Sequence, residues 1–94
     1  MWIRTQTNRP NEDLVNLDQV VAIEQGYHDG AHAVVAYLRT NGKQREKQTL
    51  TYFDGPAAER LAQRALIALW GEMQIGVKFI DMADVCELAL EESV

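Results

Sequence analysis

The side chains best suited to nucleophilic or metal chemistry in this 94-residue chain are two imidazoles and one thiol, His28, His32 and Cys86. A structural zinc site needs paired Cys-x-x-Cys or His-x₃-His spacing, and none is present, so no metal ligand set is expected. Nucleophilic use of Cys86 would require a base to form the thiolate and donors for an oxyanion. Cys86 instead falls in register with Met82, Val85 and Ala89 at helical spacing, where a cysteine behaves as a small buried hydrophobe. Asp84, Glu87 and Glu91 stand at i, i+3 and i+7 and share one face of the same helix. Carboxylates do acid–base work only where burial shifts their pKa values, and a solvated terminal face does not supply that. No catalytic residue, cofactor site or metal site is therefore assigned.

Charge gives a second set of candidates. The net charge is −5, from 14 acidic and 9 basic residues. Residues 1–70 are neutral, and the whole excess of negative charge lies in residues 71–94. Four bases, Arg39, Lys43, Arg45 and Lys47, cluster around one turn. They could contact phosphates, but the overall acidity disfavours nucleic acid, and the expected role is protection of a sheet edge from aggregation. The acidic face of Asp84, Glu87 and Glu91 is expected to dock on these bases, within one chain or between two.

The last candidate is apolar. On a helix over residues 56–75, Ala58, Ala62, Ala65, Leu66, Leu69 and Met73 form one stripe at 3.6-residue spacing. Ile67 and Trp70 project about 140° and about 80° from its centre. Flanked by Gln63 and Gln74, they form a candidate interface, because tryptophan is a frequent anchor and an isologous patch is the commonest way to bury such a surface. The alternative is that Trp70 covers the edge of the sheet and Ile67 is incidental.

The elements that carry these residues follow from period and punctuation. Trp2 to Thr5 reads as a short strand and Arg9 to Asp13 as a turn. From Leu14 to Gln25 a period of two places Leu17, Val21 and Ile23 on one face, with Asp18, Val20, Ala22 and Glu24 opposite. Gly26 to Gly30 closes that strand. Residues 31–40 are apolar on both faces, as in a central strand. Asn41-Gly42 carries the signature of a type I′ turn, so 31–40 and 44–53 are expected to pair as a hairpin turning at 40–43. Pro56 suits the first helical position, with Asp54 or Gly55 as cap and Gly76 near the end. Residues 77–80 read as a short strand-like piece and 82–92 as an acidic helix opened by Asp81.

The expected fold is α+β: a mainly antiparallel sheet of about four to five strands, one long helix packed on it and a short C-terminal helix. Residues 1–94 form a single domain: a β-meander over 1–53, the helix over 56–75, and the strand-like piece and helix over 77–94. One helix covers one sheet face, so the other must curl on itself, be covered by the C-terminal segment, or meet another subunit. No apolar run reaches 18 residues. The opening Met1-Trp2-Ile3-Arg4 has no apolar h-region and the single cysteine suits a reducing compartment, which together point to the cytoplasm.

Trp2-Ile3-Arg4-Thr5, the run Leu14-Val15-Asn16-Leu17-Asp18-Gln19-Val20 with Ile23, the hairpin, and a helix after Tyr52-Phe53-Asp54 resemble short uncharacterised bacterial proteins. Those consist of a β-meander and one helix, in the manner of a reduced pleckstrin-homology-like roll, and many are carried by phages or mobile gene cassettes. The resemblance spans residues 1–70, brings no activity with it, and does not extend to 77–94. The expected function is that of a small binding or interaction protein that self-associates as a homodimer, with a protein partner or small ligand. The alternatives are an enzyme or ligand-binding protein with a pocket between sheet and helix and, third, a nucleic-acid-associated protein. No membrane partner is expected.

Overall fold

In the computed structural model, residues 1–6, 14–39 and 46–91 are described, Glu91 by its backbone alone. The chain order is β1 (Trp2–Arg4), β2 (Leu14–Asn16), a 3₁₀ turn (Leu17–Gln19), β3 (Val20–His28), β4 (Ala31–Leu38), β5 (Glu46–Phe53), α1 (Ala58–Ile75), β6 (Phe79–Asp81) and α2 (Met82–Glu91). The α+β class and the two helices agree with the sequence. The single sheet does not: there are two sheets of three strands, ordered β2-β1-β6 and β3-β4-β5. The smaller sheet includes a parallel pair, with Trp2 beside Phe79 and Arg4 beside Asp81. Strands of three residues are too short to stand alone. They assemble because Ile3, Val15 and Ile80 all point into one core with Val34, Ala36, Leu50, Ala65, Leu69, Met82, Val85 and Ala89.

The tight turn of the larger sheet is Asp29-Gly30. Both residues have positive φ, 49° and 85°, as a type I′ turn requires, and His28 pairs with Ala31 across it. Residues 26–30 are thus a strand end and a two-residue turn rather than a closing loop. The pairing of β4 with β5 matches the expected hairpin, from His32 opposite Phe53 to Leu38 opposite Glu46. The Asn41-Gly42 turn and the Arg9 to Asp13 turn lie outside the described residues.

Two irregularities shape this sheet. A bulge in β3 between Val20 and Ala22 changes which residues face inward, so Val20 and Ile23 pack on the core while Val21 is 40% exposed. The expected face of Leu17, Val21 and Ile23 is broken for that reason. A second shift, between Val34 and Val35 on β4, leaves Leu50 as the extra residue of β5. Leu50 and Thr51 then both turn inward, where Leu50 joins the core and Thr51 meets Cys86 of α2. Bulges increase local twist.

The result is a saddle. By register, Thr49 stands level with Val35 and Glu24, four residues before His28 on β3 and about 13 Å away along the strand. Nevertheless His28 Nδ1 is 3.0 Å from Thr49 Oγ1, the His28 ring stacks on Tyr52 with centroids 4.9 Å apart, and Lys47 Nζ donates to the Tyr27 carbonyl at 2.6 Å. Only a strongly coiled sheet brings those diagonal corners together. They close over Ala33 and Val35, both without exposed surface. Of the three ways to cover the second sheet face, the chain uses the first and curls on itself.

Helix α1 lies on the other face. Ala58, Ala62, Ala65 and Leu69 are buried and Leu66 and Met73 half-buried, which is the stripe read from the sequence. Its start is later than expected: Gly55-Pro56-Ala57 form a turn, Ala58 N–H donates to the Gly55 carbonyl, and no side chain caps the helix. Ala57 stands at the cap position, so neither Asp54 nor Gly55 is the cap. Gly76 closes the helix in the left-handed conformation. Helix α2 is opened by Asp81, whose Oδ1 accepts from Ala83 N–H at 3.0 Å, and packs Met82, Val85 and Ala89 into the core. Among the described residues, no helix is long and apolar enough to cross a membrane.

Candidate interaction surface

Gln63, Ile67, Trp70 and Gln74 are all exposed on α1, at i, i+4, i+7 and i+11. Ile67 is 61% and Trp70 57% exposed. The structure therefore brings this predicted set onto one stripe. Trp70 also leans toward the sheet: with Met73 it forms one wall of an open groove of about 350 Å³, whose other wall is Leu17 and residues Val20 to Ile23. The same tryptophan thus borders β3 and remains more than half exposed. Further along, Gln25 Nε2 donates to the Glu59 carbonyl at 3.0 Å, so α1 runs antiparallel to β3 with Trp70 over the strand's first half.

β3 is an outer strand of its sheet. Edge strands are normally blunted by lysine, proline or inward charge. From Val20 to His28 there is no lysine, arginine or proline, and Glu24 is the one carboxylate. Strand order is not written in a sequence, so nothing in the hydrophobic pattern marks β3 as the edge that has no neighbouring strand among the described residues. The absence of a gatekeeper between Val20 and His28 was the available signal.

Of the basic set, Arg39 and Lys47 are described, and Lys47 stands opposite Tyr37, two positions before Arg39. Arg39 is exposed after β4, and its N–H is bonded to the Gln19 carbonyl. Lys47, on β5, spends its amine on the Tyr27 carbonyl across the sheet. Lys43 and Arg45 lie outside the described residues. On the acidic face Asp84 and Glu87 are exposed, and the Glu91 side chain lies outside the described residues. Among the described residues no ion pair joins Asp84 or Glu87 to Arg39 or Lys47. The apolar side of α2 packs on α1 and its acidic side faces solvent. The ion pair found there is Arg4 with Asp81, 3.6 Å apart.

The chemical candidates do not converge. His28 is held by Thr49 and Tyr52, with Asp29 Oδ2 3.6 Å from Nε2. His32 pairs with the Tyr27 ring on the opposite sheet face, centroids 5.0 Å apart. Cys86 is buried in α2 with its sulfur 3.3 Å from Thr51 Oγ1. Burial pushes that thiol above its ordinary value, the Thr51 hydroxyl pulls it down, and Asp81 adds to the rise. Such a thiol is a poor nucleophile at neutral pH. Among the described residues no group of three metal-binding side chains comes together.

Comparison with protein-family models, curated proteins and solved structures finds no match to the chain. The functional reading rests on these surfaces.

Proposed function

We propose that the chain is an interaction protein that self-associates as an isologous dimer through the Ile67–Trp70 side of α1. The observation that carries this reading is a large aliphatic and a tryptophan, both more than half exposed and one turn apart, with the tryptophan bordering an apolar groove. Isolated exposed hydrophobics are ordinary, but contiguous ones flanked by amides mark contact surfaces. Ala62, Ala65 and Leu69 fill the middle of the layer between sheet and α1, so the alternative of a small ligand between sheet and helix falls on the open groove beside Trp70.

The test is sedimentation velocity or light scattering across micromolar concentrations. Wild type is expected to be a dimer. Ile67→Glu, which puts a carboxylate into an apolar contact, is expected to weaken it at least about 100-fold while the far-ultraviolet spectrum stays unchanged. A wild type that is monomeric at 100 µM (roughly the upper end of a specific weak dimer) overturns the reading.

A further inference from the structure

We infer that the second copy is joined by strand addition at the bare edge of β3, so that the two larger sheets run into one of six strands. This rests on the self-association proposed above. The exposed surface of Ile67 and Trp70 alone is too small to hold a dimer. At 57% exposure Trp70 offers roughly 90–140 Å², and Ile67 brings the total to roughly 200 Å² per copy. A stable interface needs about 800 Å² per partner. The contact must therefore spread, and the surface adjoining Trp70 is the groove and the β3 edge.

The backbone says which groups are free. A two-residue turn makes His28 and Ala31 a hydrogen-bonded pair, so alternate residues Gly26, Glu24 and Ala22 also bond to β4. The Arg39 N–H to Gln19 carbonyl bond beyond the bulge keeps the same alternation. Ile23, Gln25 and Tyr27 therefore turn their N–H and C=O away from β4. Lys47 occupies the Tyr27 carbonyl. Ile23 and Gln25 remain, each with a donor and an acceptor facing outward and no backbone partner among the described residues.

Two residues separated by two positions define the register. A two-fold axis perpendicular to the sheet keeps both α1 helices on one face. It uses both free residues when Ile23 lies opposite Gln25 of the partner subunit, giving about four hydrogen bonds across the axis. Tyr27, 58% exposed on the α1 face of the sheet, then comes beside the partner's Trp70, which covers the first half of its own β3. Glu24 falls on the axis opposite its own copy, a like-charge contact that opposes the dimer.

The experiment combines hydrogen exchange with five variants. In wild type the Ile23 and Gln25 amides should be protected in proportion to the dimer population, and Ile67→Glu should release both. Gln25→Pro removes an outward N–H, which an edge strand tolerates, and should abolish the dimer with the fold intact. Gln25→Ala, which loses only the side-chain bond to Glu59, should remain dimeric. Val21→Lys adds an edge charge and should weaken association at least 10-fold. Glu24→Gln should tighten it about two- to five-fold. If wild type is dimeric and Ile67→Glu is monomeric, but Ile23 and Gln25 exchange freely or Gln25→Pro still dimerises, strand addition is wrong and the α1 interface stands. If wild type is monomeric, both fall.

Discussion

Gly26 tests whether the coil of the larger sheet is held by close packing. A Cβ added at Gly26 would stand 3.1 Å from Val35 Cγ2 and 3.7 Å from Cγ1. Val35 has no exposed surface and sits beneath the corner where His28, Thr49 and Tyr52 meet, so its methyls have nowhere to go. Two opposing effects set the outcome of Gly26→Ala. Replacing glycine within a strand recovers about 0.5–1 kcal/mol of backbone entropy. Overpacking a filled core costs about 1–3 kcal/mol. The second is larger, so the variant should lose about 1 kcal/mol, which lowers the melting temperature of a chain this size by about 4–8 °C.

The decisive measurement is a double-mutant cycle with Val35→Ala. Val35→Ala alone removes two buried methyl groups and should cost about 2 kcal/mol. In the double variant the new Cβ finds the space just vacated, so the combined loss should fall short of the sum by about 1 kcal/mol or more. Urea unfolding followed by circular dichroism supplies all four corners, and the Ile67→Glu background keeps dimer dissociation out of the transition. The reasoning fails if Gly26→Ala raises stability, or if the two losses simply add.

Asp81→Ala should cost about 1 kcal/mol, within the usual 0.5–2 kcal/mol for a lost cap, and Asp81→Asn should recover most of it in a urea titration. The cap governs, because the Arg4 side chain is 51% exposed and an ion pair there contributes little. Cys86 makes stability fall at alkaline pH. Its folded pKa is raised, so its contribution is complete below the ordinary value of 9.0 and is lost as pH rises from there through the folded value. Urea midpoints from pH 8 to 10.5 should therefore decline more in wild type than in Cys86→Ala, and equal slopes would show that burial of the thiol is not felt.

Elements with a strong period were legible in the sequence, and those defined by partners were not. The stripe of α1 and the Met82, Val85, Cys86 and Ala89 face of α2 repeat at helical spacing, and both helices bury those faces. Residues 31–40 were apolar on both sides, and β4 is the central strand with both faces covered. Asp29-Gly30 has the same turn chemistry as Asn41-Gly42, but Gly26 interrupts the strand pattern before it, so the sequence has the look of a bounded loop where a hairpin turns. The bulges at Val21 and Leu50 each break a period of two, which hides their positions from any alternation. The pairing of β1 with β6 joins residues more than seventy positions apart, and only the shared core of Ile3 and Ile80 selects it. Ile67 and Trp70 were visible by helical projection; the strand beside them was visible only once strand order was known.

The two outer strands of the larger sheet are treated differently. On β5, the N-terminal segment returns to cover the edge: Gln6 N–H donates to the Leu50 carbonyl at 2.7 Å and Gln6 bridges to Thr51. On β3, Lys47 reaches over from the far strand and occupies the Tyr27 carbonyl. Both devices spend chain or charge on edge groups that would otherwise invite another strand. What they leave is the stretch holding Ile23 and Gln25, beside an exposed tryptophan and an apolar groove. Covering it would take one lysine at Val21, an exposed position, where the chain carries a branched aliphatic instead. Among the described residues the chain covers the middle of β5 and one end of β3 and keeps a branched aliphatic at Val21, which is the arrangement the strand addition proposed above calls for.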